Sequence, residues 1–302
     1  MGGGVMSKPE TMHFDALPAL GPLYVRAATR RRRTPCAETG LEALSAGVDR
    51  VHVNPEELQA YRRVCGIADT GTVPLPYLQV LAAPLHAAII AHADFALPAL
   101  GLVHLENTMV QHRALHPEEA IALSARVLEG RWDERLGYIV TLGSEARVGQ
   151  ELVWESELTA LSPVRRGKKR ATKKGEAPPS GEAPGTRVSV MVDVPEAQGR
   201  RYAGVSGDYN PIHLHALTAR AFGFPRAIAH GMWTLSRVWA EAQPLLQTEG
   251  ELRLQARFRK PVMLPSRIWI GVREAADGEG LELCCKSPDL SKTHLEGSVT
   301  RG

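Results

Sequence analysis

The amino-acid sequence predicts an α+β protein of two similar halves, each an antiparallel sheet wrapped around one central helix. Three observations lead to this prediction: a helical stretch that is apolar around much of its circumference, strand patterns that follow it with short connections, and a composition break near the middle of the chain. The 302 residues are enough for two domains of about 150 residues each. A hydrophobic content of 44% with 23% charged residues is ordinary for a soluble globular protein.

The second half contains the clearest elements. Residues 231–246 place apolar side chains at helical spacing on most sides, which predicts a largely buried helix. Residues 252–258 then alternate apolar with polar side chains, as a half-buried strand does. Three further strands are predicted, at 268–272, 281–285 and 295–299. Connections as short as the turn at 276–280 imply an antiparallel meander.

The first half follows the same plan. A short helix is predicted at 55–65, because Asn54 suits the N-cap, Pro55 suits the first turn and Gly66 suits the C-terminal end. A longer helix is predicted at about 78–93. Strand-like runs follow at 102–110, 121–127, 138–142 and 152–158. The order of elements matches that of the second half, which indicates a weak internal repeat.

The composition changes sharply at residues 165–186. Seven lysines and arginines are followed by prolines and glycines, and almost nothing apolar is available to bury, so a flexible, exposed linker is predicted. The predicted domains are therefore residues 1–164 and 187–302, joined by the linker at 165–186. The basic run could serve a nucleic acid, but no aromatic residue is interleaved and only 5% of the chain is aromatic, so we predict no nucleic-acid partner.

Residues 202–213 contain the strongest candidates for catalytic side chains. Asp208 and His213 stand on either side of an Asn210-Pro211 turn, and Gly207 gives the backbone freedom just before the carboxylate. Because Pro211 disfavours α geometry at the preceding residue, the segment is predicted to turn rather than to continue a helix. Such a turn can bring the two side chains to one water as a general acid/base pair. The alternative is a polar surface turn in which Asn and Pro serve geometry alone.

The spacing Gly207-Asp208-x-Asn210-Pro211-x-His213 resembles the Gly-Asp-x-Asn-Pro-x-His signature of the MaoC-like dehydratases, the (R)-specific enoyl-thioester hydratases. The resemblance continues through 221–224, 228–232 and 258–265. It implies a double hotdog fold, with each antiparallel sheet wrapped around a central helix. The first half lacks the signature, since its Asn54-Pro55 has neither acid nor imidazole at the required spacing. We therefore predict a degenerate first hotdog and one active site per chain.

The resemblance also implies the reaction, which is reversible dehydration of (3R)-3-hydroxyacyl thioesters to trans-2-enoyl thioesters. Asp208 and His213 would activate water and protonate the α-carbon, and the family implies that a backbone N–H at Gly231 contacts the thioester oxygen. Asn210 is expected to order the loop or to contact substrate, two roles that the sequence does not separate. His230 is interpreted as a hydrogen-bonded structural histidine.

No cofactor and no metal are predicted. His213 and His215 could face one side of a strand and chelate a metal, but no third ligand has recognisable spacing. Dinucleotide-binding and Walker motifs do not stand out. The thioester carrier is coenzyme A or an acyl-carrier protein. Two other functions stay open: a hotdog thioesterase that uses Asp208 to activate water, and a non-catalytic acyl-thioester-binding or assembly subunit.

The chain is predicted to be cytoplasmic, without a membrane span. Residues 79–103 are rich in Ala and Leu, but they contain Pro84, His86, His92 and Asp94. The four cysteines form no Cys-x-x-Cys pair and are interpreted as reduced thiols. A chain of this kind acts alone or as a homodimer.

Overall fold

The computed structural model describes residues 10–29, 44–95, 97, 102–163, 186–246 and 250–302. The strands of this part of the chain are β1 (Glu10–Phe14), β2 (Leu44–Val51), β3 (Val103–Gln111), β4 (Ile121–Asp133), β5 (Gly137–Val148), β6 (Glu151–Pro163), β7 (Thr186–Val194), β8 (Leu252–Phe258), β9 (Ser266–Glu274), β10 (Gly280–Lys286) and β11 (Thr293–Arg301). The helices are α1 (Leu20–Thr29), α2 (Pro55–Cys65), α3 (Leu75–Ala91), α4 (Gln198–Ser206), α5 (Pro211–Leu214), α6 (Ala216–Ala221) and α7 (Gly231–Ala242).

All of these strands form one continuous sheet, in the order β1-β2-β4-β5-β6-β3-β8-β11-β10-β9-β7. The halves join where β3 pairs antiparallel with β8, so that Asn107 lies opposite Ala256 and Met109 opposite Leu254. The pairing of β1 with β2 is parallel, and the other strand pairs described are antiparallel. The α+β architecture predicted from the sequence is confirmed.

Each half packs its sheet around one buried helix. In the second half this is α7, whose Leu235, Val238 and Trp239 are almost completely buried. The predicted helix at 231–246 is too long, because α7 ends at Ala242 and a short 3-10 helix follows at Gln243–Leu245. Pro244 lies in that tighter turn, and its missing N–H cannot continue the α-helical ladder.

The corresponding helix of the first half is α3, which begins three residues before the predicted start at 78. It is buried on nearly all sides, although it contains Pro84. Helix α2 has the predicted bounds, with the Asn54 side chain accepting from the N–H groups of Glu56 and Glu57 and with Gly66 in the left-handed region at its end. No helix among the described residues is both long enough and apolar enough to cross a membrane.

Hydrogen bonds between helices also connect the two halves. The hydroxyl groups of Tyr61 on α2 and Ser236 on α7 share a buried hydrogen bond of 2.6 Å. The indole N–H of Trp233 donates to the Val64 carbonyl at 3.2 Å. Strand β6 ends at Pro163 and β7 begins at Thr186, and residues 164–185 lie outside the described part of the chain. The predicted linker and the domain boundaries built on it stay predictions.

Candidate active site

The loop that carries Asp208 is shaped by the two helices it connects. Gly207 ends α4 with a φ of 70°, in the left-handed region that glycine tolerates, and its N–H donates to the Ala203 carbonyl. Asn210 is the N-cap of the one-turn helix α5, where its side chain accepts from the N–H of Ile212 at 3.4 Å, and Pro211 is the first helical residue. The turn predicted from the sequence is present, and α5 places His213 at its end. The observed contact of Asn210 orders the loop, and its contact with substrate stays a prediction.

The two carboxylate oxygens of Asp208 have different surroundings. Oδ1 accepts the Tyr24 hydroxyl at 2.9 Å and the N–H of Asn210 at 3.1 Å. Oδ2 lies 3.7 Å from Nε2 of His230. Removal from bulk water raises the pKa of Asp208, but His230, His213 and the two hydrogen bonds outweigh that effect and hold the pKa below its ordinary value. Asp208 is therefore a carboxylate at neutral pH.

His213 is held in one tautomer. The residue is 7% exposed, and Nδ1 lies 2.8 Å from the Ile228 carbonyl oxygen. Because a carbonyl oxygen can only accept, Nδ1 carries the proton and Nε2 presents a lone pair. Burial lowers the pKa of His213, with a further contribution from His230, so the ring is neutral at pH 7.

His230 lies directly against His213. The two rings stack with their centroids 3.7 Å apart and their planes inclined by 27°. Nε2 of His230 donates to the backbone carbonyl of Asp208 at 2.9 Å, which ties the loop to the N-terminus of α7. Burial also lowers the pKa of His230. The hydrogen bond predicted for His230 is present, but its stacking on His213 was not predicted, because 17 residues separate them in the sequence.

The three side chains form one compact cluster. One nitrogen or oxygen atom from each of Asp208, His213 and His230 lies within 4.8 Å of the others. Two hydrogen bonds of about 2.8 Å from one water span roughly 4.6 Å, so a single water fits between two of these groups.

The same atoms could serve as metal ligands. However, the lone pairs of two stacked imidazoles lie in two nearly parallel ring planes, which is a poor arrangement for directing both at one ion. His213 lies in α5 and His215 follows that helix in extended conformation, so the strand on which these two could chelate a metal together is not present. The geometry thus favours a bridging water over a metal, and the absence of a metal stays a prediction.

Gly231 is the first residue of α7. The N–H groups of a first helical turn have no partner within the helix, so the Gly231 N–H is available to an acceptor at the positive end of the helix dipole. A Cβ at Gly231 would lie 3.2 Å from the Phe258 ring, so glycine lets this ring pack closely against the start of α7. His104 of the first half packs on that ring with a centroid separation of 4.6 Å. Tyr24 and His104, both from the first half, thus border the site, and sequence reasoning missed both because no local motif marks them.

The chain is similar to known proteins over most of its length. Residues 176–280 match the family described as MaoC like domain. The chain is 32% identical over 257 residues to 3-hydroxyacyl-thioester dehydratase X of Mycobacterium tuberculosis, covering 83% of this chain and 87% of that protein. A crystal structure of HtdX from Mycobacterium tuberculosis superposes with a TM-score of 0.72 at 29% identity, covering 85% of this chain and 100% of that one.

A conserved hypothetical protein of Mycobacterium tuberculosis with a double hotdog fold superposes with a TM-score of 0.53 at 13% identity, covering 84% of this chain and 95% of that one. This likeness bears on the fold alone. Together with the joined sheets and the two central helices, it identifies the fold of this chain as a double hotdog.

Proposed function

Because the chain belongs to the MaoC-like dehydratases, we propose that it catalyses the reversible dehydration of (3R)-3-hydroxyacyl thioesters to trans-2-enoyl thioesters. The observation that carries the proposal is the cluster of Asp208, His213 and His230 within 4.8 Å, at the N-terminus of the central helix. The relative that is 32% identical is named for dehydration of 3-hydroxyacyl thioesters. The hydro-lyase reaction is the one that both the family and the cluster favour.

In the hydration direction, a water between Asp208 and His213 would donate one O–H to the carboxylate and the other to Nε2 of His213. As the water oxygen bonds to C3, the pair removes one proton from it and returns one proton to C2, so that H and OH are added across the double bond. A carboxylate and a neutral imidazole suit this step, because both accept protons and neither holds one that it must lose first. Dehydration is the reverse of the same steps.

The thioester oxygen gains negative charge as C3 is attacked. The N–H of Gly231 is suited to stabilise this charge, since it lies in the first turn of α7, where the helix dipole favours an anion. Phe258 and His104 would form an aromatic wall beside the thioester, which limits the access of water and strengthens the hydrogen bond. The role of Gly231 and a substrate contact by Asn210 belong to this proposal.

The proposed substrate is a thioester of coenzyme A or of an acyl-carrier protein, and the chemistry requires no redox cofactor. A cytoplasmic location and the pairing of two chains into a homodimer are also part of the proposal.

The test uses the full-length protein with crotonyl-CoA and a panel of longer trans-2-enoyl-CoA substrates. Loss of the enoyl absorbance without release of free thiol supports a hydratase. Release of thiol supports a thioesterase instead. Unchanged absorbance and thiol across the whole panel would favour the binding role. The Asp208→Asn variant is the matched control, because it removes the carboxylate while nearly preserving its size.

A further inference from the structure

Beyond the predicted acid/base pair, we propose that Tyr24 of the first half is a positioning residue for Asp208, holding Oδ1 so that Oδ2 faces the histidines and the bridging water. The inference deepens the proposed function and rests on it. It assigns to the first half a direct part in the chemistry of the second, although 184 residues separate the two side chains.

The hydrogen bonds at Asp208 explain why Tyr24 can fix the carboxylate. Oδ1 receives two donors from different parts of the chain, the Tyr24 hydroxyl at 2.9 Å and the Asn210 N–H at 3.1 Å. With the Asn210 N–H as the only donor, the carboxylate could still rotate about its Cβ–Cγ bond, because a single hydrogen bond does not fix the orientation of the carboxylate plane. The second donor restricts that rotation. Oδ2 is then directed toward His230, whose Nε2 is 3.7 Å away.

The packing of α1 supports the same assignment. Leu20 and Tyr24 are four residues apart and therefore lie on one face of the helix. Leu20 contacts the turn just before the carboxylate, since a Cβ at Gly207 would clash with its Cδ1. The same helix face thus contacts the catalytic loop at two successive points, Gly207 and Asp208. The position of the phenol is set by packing as well as by the hydrogen bond.

Tyr24 acts as a hydrogen-bond donor and does not transfer its proton in the reaction. Burial and the neighbouring Asp208 charge both raise the pKa of Tyr24 far above its ordinary value, so the phenol keeps its proton throughout the range of an enzyme assay. In return, the hydrogen bond from Tyr24 helps to lower the pKa of Asp208, together with His230, His213 and the Asn210 N–H. Two further titratable groups feel the charge of Asp208: it raises the pKa of Tyr202 and opposes the lowering of the His104 pKa by burial.

The proposal predicts the direction in which the pH profile of activity moves when the Tyr24 hydroxyl is removed. The Tyr24 hydrogen bond stabilises the charged form of Asp208, so its removal raises the pKa of the carboxyl. Activity that requires the carboxylate is lost on the acidic side of the pH profile as Asp208 takes up a proton. In Tyr24→Phe this acidic limb should therefore move to higher pH, while the ring and its packing are kept.

The experiment compares wild type, Tyr24→Phe and Tyr209→Phe as full-length proteins. Tyr209 is the matched control, because it follows Asp208 in the chain but is 56% exposed. For Tyr24→Phe we expect kcat for crotonyl-CoA hydration to fall at least about tenfold, on the scale of one hydrogen bond to a charged group. The KM should change less than twofold, and the acidic limb should move upward. Tyr209→Phe should match wild type.

Two results would overturn the proposal. One is a wild-type kcat and an unshifted pH profile in Tyr24→Phe. The other is a loss of activity that is equal at every pH and accompanied by a lower Tm, since this is what a purely structural role produces. A carbon-13 NMR titration of the Asp208 carboxyl, assigned with Asp208→Asn, gives a readout that needs no substrate. An upward shift in Tyr24→Phe supports the contact even if the wild type fails to hydrate any thioester, so the two failures can be told apart.

Discussion

Substitution of Gly199 by alanine should displace His213 without touching it chemically. Gly199 is the second residue of α4 and is buried. A Cβ at this position would overlap the backbone carbonyl oxygen of His213. A backbone atom cannot rotate out of the way as a side chain can, so α5 has to move as a unit. Helix α5 carries His213, so its movement shifts the imidazole of His213 in the site.

The expected magnitudes follow from two opposing effects. Alanine in place of glycine in a helix gains at most about 0.5–1 kcal/mol, whereas overpacking of a filled site costs about 1–3 kcal/mol. We expect Gly199→Ala to lower the free energy of unfolding by up to about 2 kcal/mol and to lower the Tm by several degrees. A shift of a catalytic group by about 1 Å can reduce the rate about a hundredfold, so activity should fall far more than stability.

Gly204→Ala on the same helix is the matched control, because an added Cβ there meets nothing within 4 Å. It should keep full activity and gain up to about 1 kcal/mol of stability. The assays are crotonyl-CoA hydration and thermal unfolding of each full-length variant. If Gly199→Ala is as active and as stable as Gly204→Ala, the contact between α4 and α5 does not position His213, and the reasoning is refuted.

Three other outcomes are expected. Asp208→Ala and His213→Ala should each slow hydration at least about a hundredfold, with the double variant little worse, because the pair acts as a unit; near-normal turnover in either single variant removes that residue from the mechanism. Replacing residues 167–184 by a short Gly/Ser linker should leave the Tm and turnover unchanged, and a large fall in Tm would show that the segment packs against the body. Residues 187–302 alone should precipitate or self-associate, because β8 loses its pairing with β3; a soluble, fully active monomer in size-exclusion chromatography would contradict this.

The elements that the sequence predicts well are those whose signal is local. Strand β8 alternates buried and exposed residues along its length, which is the period-2 pattern used to predict it. The Asp208-x-Asn210-Pro211-x-His213 turn is predictable because glycine, N-cap and proline preferences all act within a few residues. The contact between Asp208 and His230 could not be predicted in this way, since it depends on how α7 packs beside the loop.

The elements that were shortened or missed have different explanations. Strand β5 extends to Val148, six residues beyond the predicted end at 142, because both of its faces are covered and the alternation disappears. Helix α1 and strands β1, β2 and β7 were not predicted. Strand β7 does alternate, with Val188, Val190 and Val192 less exposed than their neighbours, so a signal was present there. For Tyr24 no sequence signal exists, because its partner is 184 residues away.

The buried polar groups of the first half support the expectation that it holds no active site of its own. Nε2 of His86 bonds to the Ser144 hydroxyl at 2.6 Å, and the Ser156 hydroxyl donates to Gln79 at 2.6 Å. The amide of Asn107 also donates to Gln79, at 3.4 Å. Burial lowers the pKa of His86 to about 4, so it stays neutral. These groups satisfy one another inside the core, where they specify packing rather than chemistry. The first half nevertheless reaches the second site through α1, where the Tyr24 hydroxyl donates to the Asp208 carboxylate, and this contact is the one through which we propose that it acts.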